Sequence, residues 1–148
     1  MKIEIKRLND AFHMEAVNEQ GAKVQMDASP QVGGSDLGMR PMQMLLAALG
    51  GCSSIDIIDI LKKQRQPPED LQITITGERQ KDQTPALFEK IHVHFHLTGD
   101  LSEDKVKKAI DLSMDKYCSV AKILERSALI TYSYEITGNK KSFKIFDE

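Results

Sequence analysis

An excess of charge of either sign is missing from this chain: 20 Lys and Arg against 22 Asp and Glu leave a formal net charge of −2. So near a balance, nothing points to a polyanion-binding surface. Aromatics are only 5% of the residues, and no basic stripe interleaved with them is visible, so nucleic acid is not an expected partner. No internal repeat or low-complexity segment stands out. The longest uncharged apolar stretch, near residues 41–55, is broken by Gln43, Cys52, Ser53 and Ser54. It falls short of the roughly 20 apolar residues that span a bilayer, so a buried helix and no membrane partner are expected. The start, Met1-Lys-Ile-Glu-Ile-Lys-Arg, lacks the apolar core of a signal peptide, which makes a cytoplasmic location the expectation. Cysteine is scarce, with two residues, Cys52 and Cys118. In a reducing compartment a lasting structural disulfide is not expected, leaving inert packing or a transient redox pair.

What is present suits one domain over residues 1–148. The length is enough for a core, and 41% hydrophobic and 28% charged residues are ordinary for a globular chain. Residues 2–8 alternate with period 2, as a half-buried strand does, and 12–17 and 22–26 continue as second and third strands around Asn18-Glu-Gln-Gly21. The thirteen residues 27–39, with Ser29-Pro30 and Gly33-Gly34, form a long loop of the kind that is often functional. Pro41 suits a first helical turn, and the helix it opens runs to about Gln66, before Pro67-Pro68. Its second half turns amphipathic, with Ile55, Ile58 and Leu61 on one stripe and Asp56, Asp59, Lys62 and Lys63 off it. Gly50-Gly51 costs that helix about 1 kcal/mol per glycine relative to alanine, which implies a close approach to its backbone just before Cys52. A crossing helix, a second subunit or a substrate would each explain it.

Residues 71–79 and 90–97 alternate as strands, the second with Ile91, Val93, Phe95 and Leu97 inward. Ser102 caps a helix to about Tyr117 that buries Val106, Ile110 and Met114. A short helix over 119–124 and a strand over 128–136 follow, and Phe143 and Ile145 are placed to hold down the polar tail. The order is β-β-β-α-β-β-α-α-β. Helices and strands do not alternate regularly, so the class is α+β with mainly antiparallel pairing.

The runs Pro41-Met-Gln-Met-Leu-Leu-Ala-Ala-Leu-Gly-Gly-Cys52 and Tyr117-Cys118-Ser-Val-Ala-Lys-Ile-Leu124 resemble the OsmC/Ohr family, the osmotically inducible and organic-hydroperoxide-resistance proteins. The resemblance covers nearly the whole chain. It implies an OsmC-like fold, antiparallel sheets wrapped around a long central helix, in an intertwined homodimer with active sites at the subunit interface. It also implies a thiol-dependent peroxidase acting on organic hydroperoxides, with Cys52 attacking and Cys118 resolving the sulfenic acid to a disulfide. A lipoyl-type dithiol reopens that disulfide, and neither cofactor nor metal is needed.

Two positions depart from the peroxidase pattern. Met42 stands where those proteins have a Glu after the motif Pro, and Gly21-Ala22-Lys23 stands where their hairpin has a Gly-Arg element. Arg40 and Gln43 are the remaining polar candidates beside Cys52. The loss matters because the thiolate is the nucleophile, and a free thiol with a pKa near 8.5 is mostly protonated at neutral pH. Cys52 lies beyond the first turn of its helix, whereas Cys118 opens one and would gain from its amide dipole. An inverted order of attack therefore stays open. So does a non-catalytic reading, in which the fold binds a small hydrophobic ligand at the interface, and a plainer one with two inert buried thiols.

Three further features have ordinary explanations. His92, His94 and His96 share one strand face and are near enough to hold a metal in pairs, yet the alternation with Ile91, Val93 and Phe95 already accounts for them as a solvated outer face. Met39, Met42 and Met44 suit packing, or an adaptable apolar pocket. Ser53-Ser54 fit local helix hydrogen bonds.

Overall fold

The computed structural model describes residues 1–138. Two compact units are present, residues 1–45 and the residues from Leu46 on.

In the first unit, β1 (Ile3–Arg7), β2 (Met14–Asn18) and β3 (Lys23–Met26) form an antiparallel meander with β2 at its centre. Asn18 makes the β2–β3 turn: its carboxamide oxygen accepts from the Gln20 and Ala22 N–H groups at 3.0 and 2.8 Å. The long loop after β3 is ordered around Asp27, which is 2% exposed. Its carboxylate accepts from the Ala28, Ser35 and Leu37 N–H groups at 2.8, 3.0 and 3.1 Å. Burial works to raise the Asp27 pKa, but those three donors outweigh it and hold the carboxyl below its ordinary value.

Helix α1 (Pro41–Lys63) begins in the first unit and continues into the second. The Arg40 N–H donates to Gln43 Oε1 at 3.0 Å, the reach-back half of a capping box. In the second unit β4 (Asp70–Arg79), β5 (Phe88–Thr98) and β6 (Leu129–Thr137) make a three-stranded sheet with β5 central. Between β5 and β6 lie α2 (Glu103–Leu112), a π-helical turn (Ser113–Tyr117) and α3 (Ser119–Leu124). The core of this unit contains Ile91, Val93, Phe95 and Leu97 of β5, Leu49, Ile57 and Leu61 of α1, and Val106 and Ile110 of α2, each at most 1% exposed.

The element order and class agree with the sequence expectation, and three details differ. The pair β5–β6 is parallel, not antiparallel. A strand reached through two helices and a π turn arrives by a crossover, which returns the chain in the same direction. The buried stripe of α1 is Leu49, Ser53, Ile57 and Leu61, and Ile55 is 71% exposed. At a spacing of four this stripe is one face of a helix, but Ser53 broke its apolar pattern in the sequence. The expected Ser102-to-Tyr117 helix ends at Leu112 and closes as the π turn.

The close approach at Gly50 comes from a strand: a Cβ built there would lie 2.9 Å from Ile75 Cδ1 of β4. At Gly51 nothing lies within 4 Å. Helix α1 is also longer as an apolar element than the interrupted run suggested. An 18-residue window of it has a mean hydropathy of 1.8 and is 28% buried, so by length and composition alone it could cross a bilayer. Phe143 and Ile145 lie outside the described residues.

Candidate functional site

Cys52 and Asp56 are one turn apart on α1, so their side chains share a face. Cys118 is the N-cap of α3. The π turn delivers it: the Cys118 N–H donates to the Ser113 carbonyl at 2.8 Å, closing an i to i+5 ring. The result is a cluster in which the two sulfurs and an Asp56 carboxylate oxygen all lie within 4.8 Å of one another. Cys52 is half-buried and Cys118 fully buried. Sixty-six sequence positions separate the two thiols, and the fold removes that separation.

Ser113 is fully buried and donates its hydroxyl to Asp56 Oδ2 at 3.0 Å. The Ala121 N–H donates to Cys118 Sγ at 3.4 Å. That amide, with Val120's, favours the Cys118 thiolate, as its place at a helix start suggested. Burial opposes them and wins, and with the adjacent Cys52 it pushes the Cys118 thiol up to about 12. At neutral pH Cys118 is therefore a protonated thiol. A groove of about 490 Å³ is lined by Asp56, Asp59, Ile60, Lys63, Leu112 and Tyr117.

The two weaker sequence candidates are engaged elsewhere. The Arg40 guanidinium donates to Asp36 Oδ1 at 2.6 Å, and Gln43 caps the start of α1 as described. Ser53 and Ser54 make the local bonds expected, donating to the Leu49 carbonyl at 2.9 Å and the Gly50 carbonyl at 2.5 Å.

The three histidines of β5 do face one side, in a polar ladder with β6. The His92 ring nitrogens lie 2.8 Å from Thr131 and Ser133 hydroxyls, and His94 Nδ1 lies 2.8 Å from Ser133. His96 lies 3.0 Å from both Glu135 Oε1 and the Thr137 hydroxyl.

Sequence reasoning missed Asp56 and Ser113. The sequence places Asp56 off the apolar stripe of α1; its spacing of four from Cys52 is the available signal. Ser113 carried none, because a π turn has no pattern of its own in sequence.

Comparison with known proteins supplies the family. A family model described as OsmC-like protein matches residues 33–133. Protein YhfA of Escherichia coli strain K12 is 44% identical over 119 residues, which is 80% of this chain and 85% of that protein. The crystal structure of a protein from Aquifex aeolicus VF5 superposes with a TM-score of 0.81 at 28% identity, covering 94% of this chain and 97% of the other. An OsmC-like protein from Mycoplasma pneumoniae shares the fold with a TM-score of 0.76 at 22% identity, covering 93% and 98%. With its motif cysteines brought together by the fold these proteins share, the chain belongs to the OsmC-like family.

Proposed function

We propose that this protein is a thiol-dependent peroxidase acting on organic hydroperoxides through Cys52 and Cys118, as a cytoplasmic homodimer recycled by a lipoyl-type dithiol. The observation that carries the reading is the meeting of the two sulfurs within 4.8 Å. A disulfide of about 2.05 Å then needs a closure of less than about 3 Å.

The half-buried Cys52 is the thiol a substrate can reach. Its thiolate attacks the terminal peroxide oxygen, the O–O bond breaks, and the alkoxide leaves as an alcohol after taking a proton. Cys52 is then a sulfenic acid. The Cys118 thiol attacks that sulfur, the S–S bond forms, and the hydroxyl leaves with the Cys118 proton as water. A dithiol opens the disulfide by exchange, returning two thiols and becoming a disulfide itself. With Cys118 held up to about 12, its proton leaves as the S–S bond forms and not beforehand.

Intact mass and free-thiol counts, before and after one equivalent of cumene hydroperoxide, test this. Loss of both thiols with a mass fall of two hydrogens and no intersubunit crosslink is expected. Cys52→Ser should abolish turnover, while Cys118→Ser should stop at the sulfenic acid. Two thiols surviving peroxide would shift the assignment to the second reading, a non-catalytic protein that binds a small hydrophobic ligand. One feature favours that reading: the charged group beside the thiols is the Asp56 carboxylate, which does not promote a thiolate.

A further inference from the structure

Two thiols and one carboxylate make an awkward peroxidase centre, because an anion beside a thiol opposes its ionisation. The same three groups suit a different task. We propose that Cys52, Asp56 and Cys118 form a three-ligand site for a thiophilic divalent cation, zinc or a zinc-like ion, with a fourth position left open to solvent or a ligand. This goes beyond the redox reading and does not depend on it. A metal-loaded pair and a peroxide-oxidised pair are alternative fates of the same thiols.

The geometry comes first. In a tetrahedral zinc site, metal–sulfur bonds of about 2.3 Å and metal–oxygen bonds of about 2.0–2.2 Å place ligand atoms roughly 3.5–3.8 Å apart. The three donor atoms already lie within 4.8 Å of one another, so drawing them in takes about 1 Å. They come from two elements: Cys52 and Asp56 hold a fixed i, i+4 relation on α1, and Cys118 is pinned at the head of α3. An i, i+4 ligand pair on a helix is a spacing that zinc sites use.

Donor chemistry then narrows the ion. Two sulfurs and one oxygen are a borderline-soft set, which selects zinc-like ions over magnesium and calcium. The second layer of contacts is also suitable. Ser113 Oγ donates to Asp56 Oδ2 at 3.0 Å, which orients the carboxylate. The Ala121 N–H donates to Cys118 Sγ at 3.4 Å, a contact that supports a thiolate ligand. Among the described residues, no ion pair to Asp56 neutralises the cluster; a cation would. Asp56 also lines a groove with Lys63 and Tyr117. The His92–His94–His96 face is a weaker rival. Its ring nitrogens are paired with Thr131, Ser133, Thr137 and Glu135, and the cluster in which three donors converge is the thiol one.

Anaerobic titration of the fully reduced full-length protein with Co²⁺, followed by displacement with Zn²⁺, tests the site. One equivalent should bind with micromolar or tighter affinity. A thiolate-to-cobalt charge-transfer band in the near ultraviolet and tetrahedral d–d bands in the visible should appear. Cys52→Ser should lower the charge-transfer intensity by about half. Asp56→Asn should weaken zinc more than about 100-fold, and Ser113→Ala, which removes only the outer contact, by roughly 10- to 100-fold. Far-ultraviolet circular dichroism confirms that each variant folds. Three results overturn the proposal: no charge-transfer band, an affinity unchanged in Asp56→Asn, or binding that survives Cys52→Ser and is lost in His94→Asn/His96→Asn. None of these touches the peroxidase reading, which is decided by disulfide formation in metal-free protein.

Discussion

In the β4–β5–β6 sheet the inward residues of the central strand, Ile91, Val93, Phe95 and Leu97, are at most 1% exposed. In β1, Ile3 and Ile5 alternate in the same way yet remain 55% and 60% exposed, and Val24 of β3 is 45% exposed. Alternation marks a face that must be covered, but it does not say what covers it. The second unit supplies its own cover from α1 and α2. In the first sheet Ile3, Ile5 and Val24 stay exposed, as do Leu45 and Ile55 of α1. Faces of this kind mark interaction sites, and the homodimer proposed above would close them.

Four measurements break or sharpen this contrast. Phe95→Ala cuts into the self-sufficient core and should cost about 3–5 kcal/mol in urea unfolding, as large-to-small changes at buried aromatics do. A loss near zero would mean that the second unit is held from outside too. Ile5→Lys should leave the secondary structure in place and, for the homodimer proposed above, shift the molecular mass by light scattering to that of a monomer. An unchanged dimer would remove β1 from the interface.

Gly51→Ala should raise stability by about 1 kcal/mol, the helix propensity difference, because a Cβ there meets nothing within 4 Å. A loss instead would show that another copy touches α1 at that point. The smallest effect concerns Asp27. Its carboxyl is held below the ordinary value, so its contribution to the 27–39 loop is complete above the unfolded aspartate pKa of about 3.9 and is lost as pH falls through the lower folded value. The Ser35 and Leu37 amide resonances should shift over that acid range and lose their dependence in Asp27→Asn.

The sequence carried the fold further than the site. The strands and the main helices were legible from period-2 alternation, from Pro41 and the Pro67-Pro68 stop, and from Ser102 before α2; the π turn was not. The parallel return of β6 was not, because strand direction depends on how a connection crosses the sheet. At the site, the cysteine motifs alone named the two thiols. Asp56 looked like one more solvated acid on a helix, and Ser113 like any residue of α2. Arg40 and Gln43, chosen for nearness in sequence, instead bond to Asp36 and to the helix start.

By itself, then, the order of residues determined the elements, the apolar faces and the two thiols, since these follow from local periodicity and from residue chemistry. Only the tertiary structure decided that the thiols meet, that Asp56 stands beside them, and that burial pushes the Cys118 thiol up. Those outcomes depend on the π turn that swings Cys118 inward and on the burial that follows. Both are set by packing between segments far apart in the chain, to which no local pattern is sensitive.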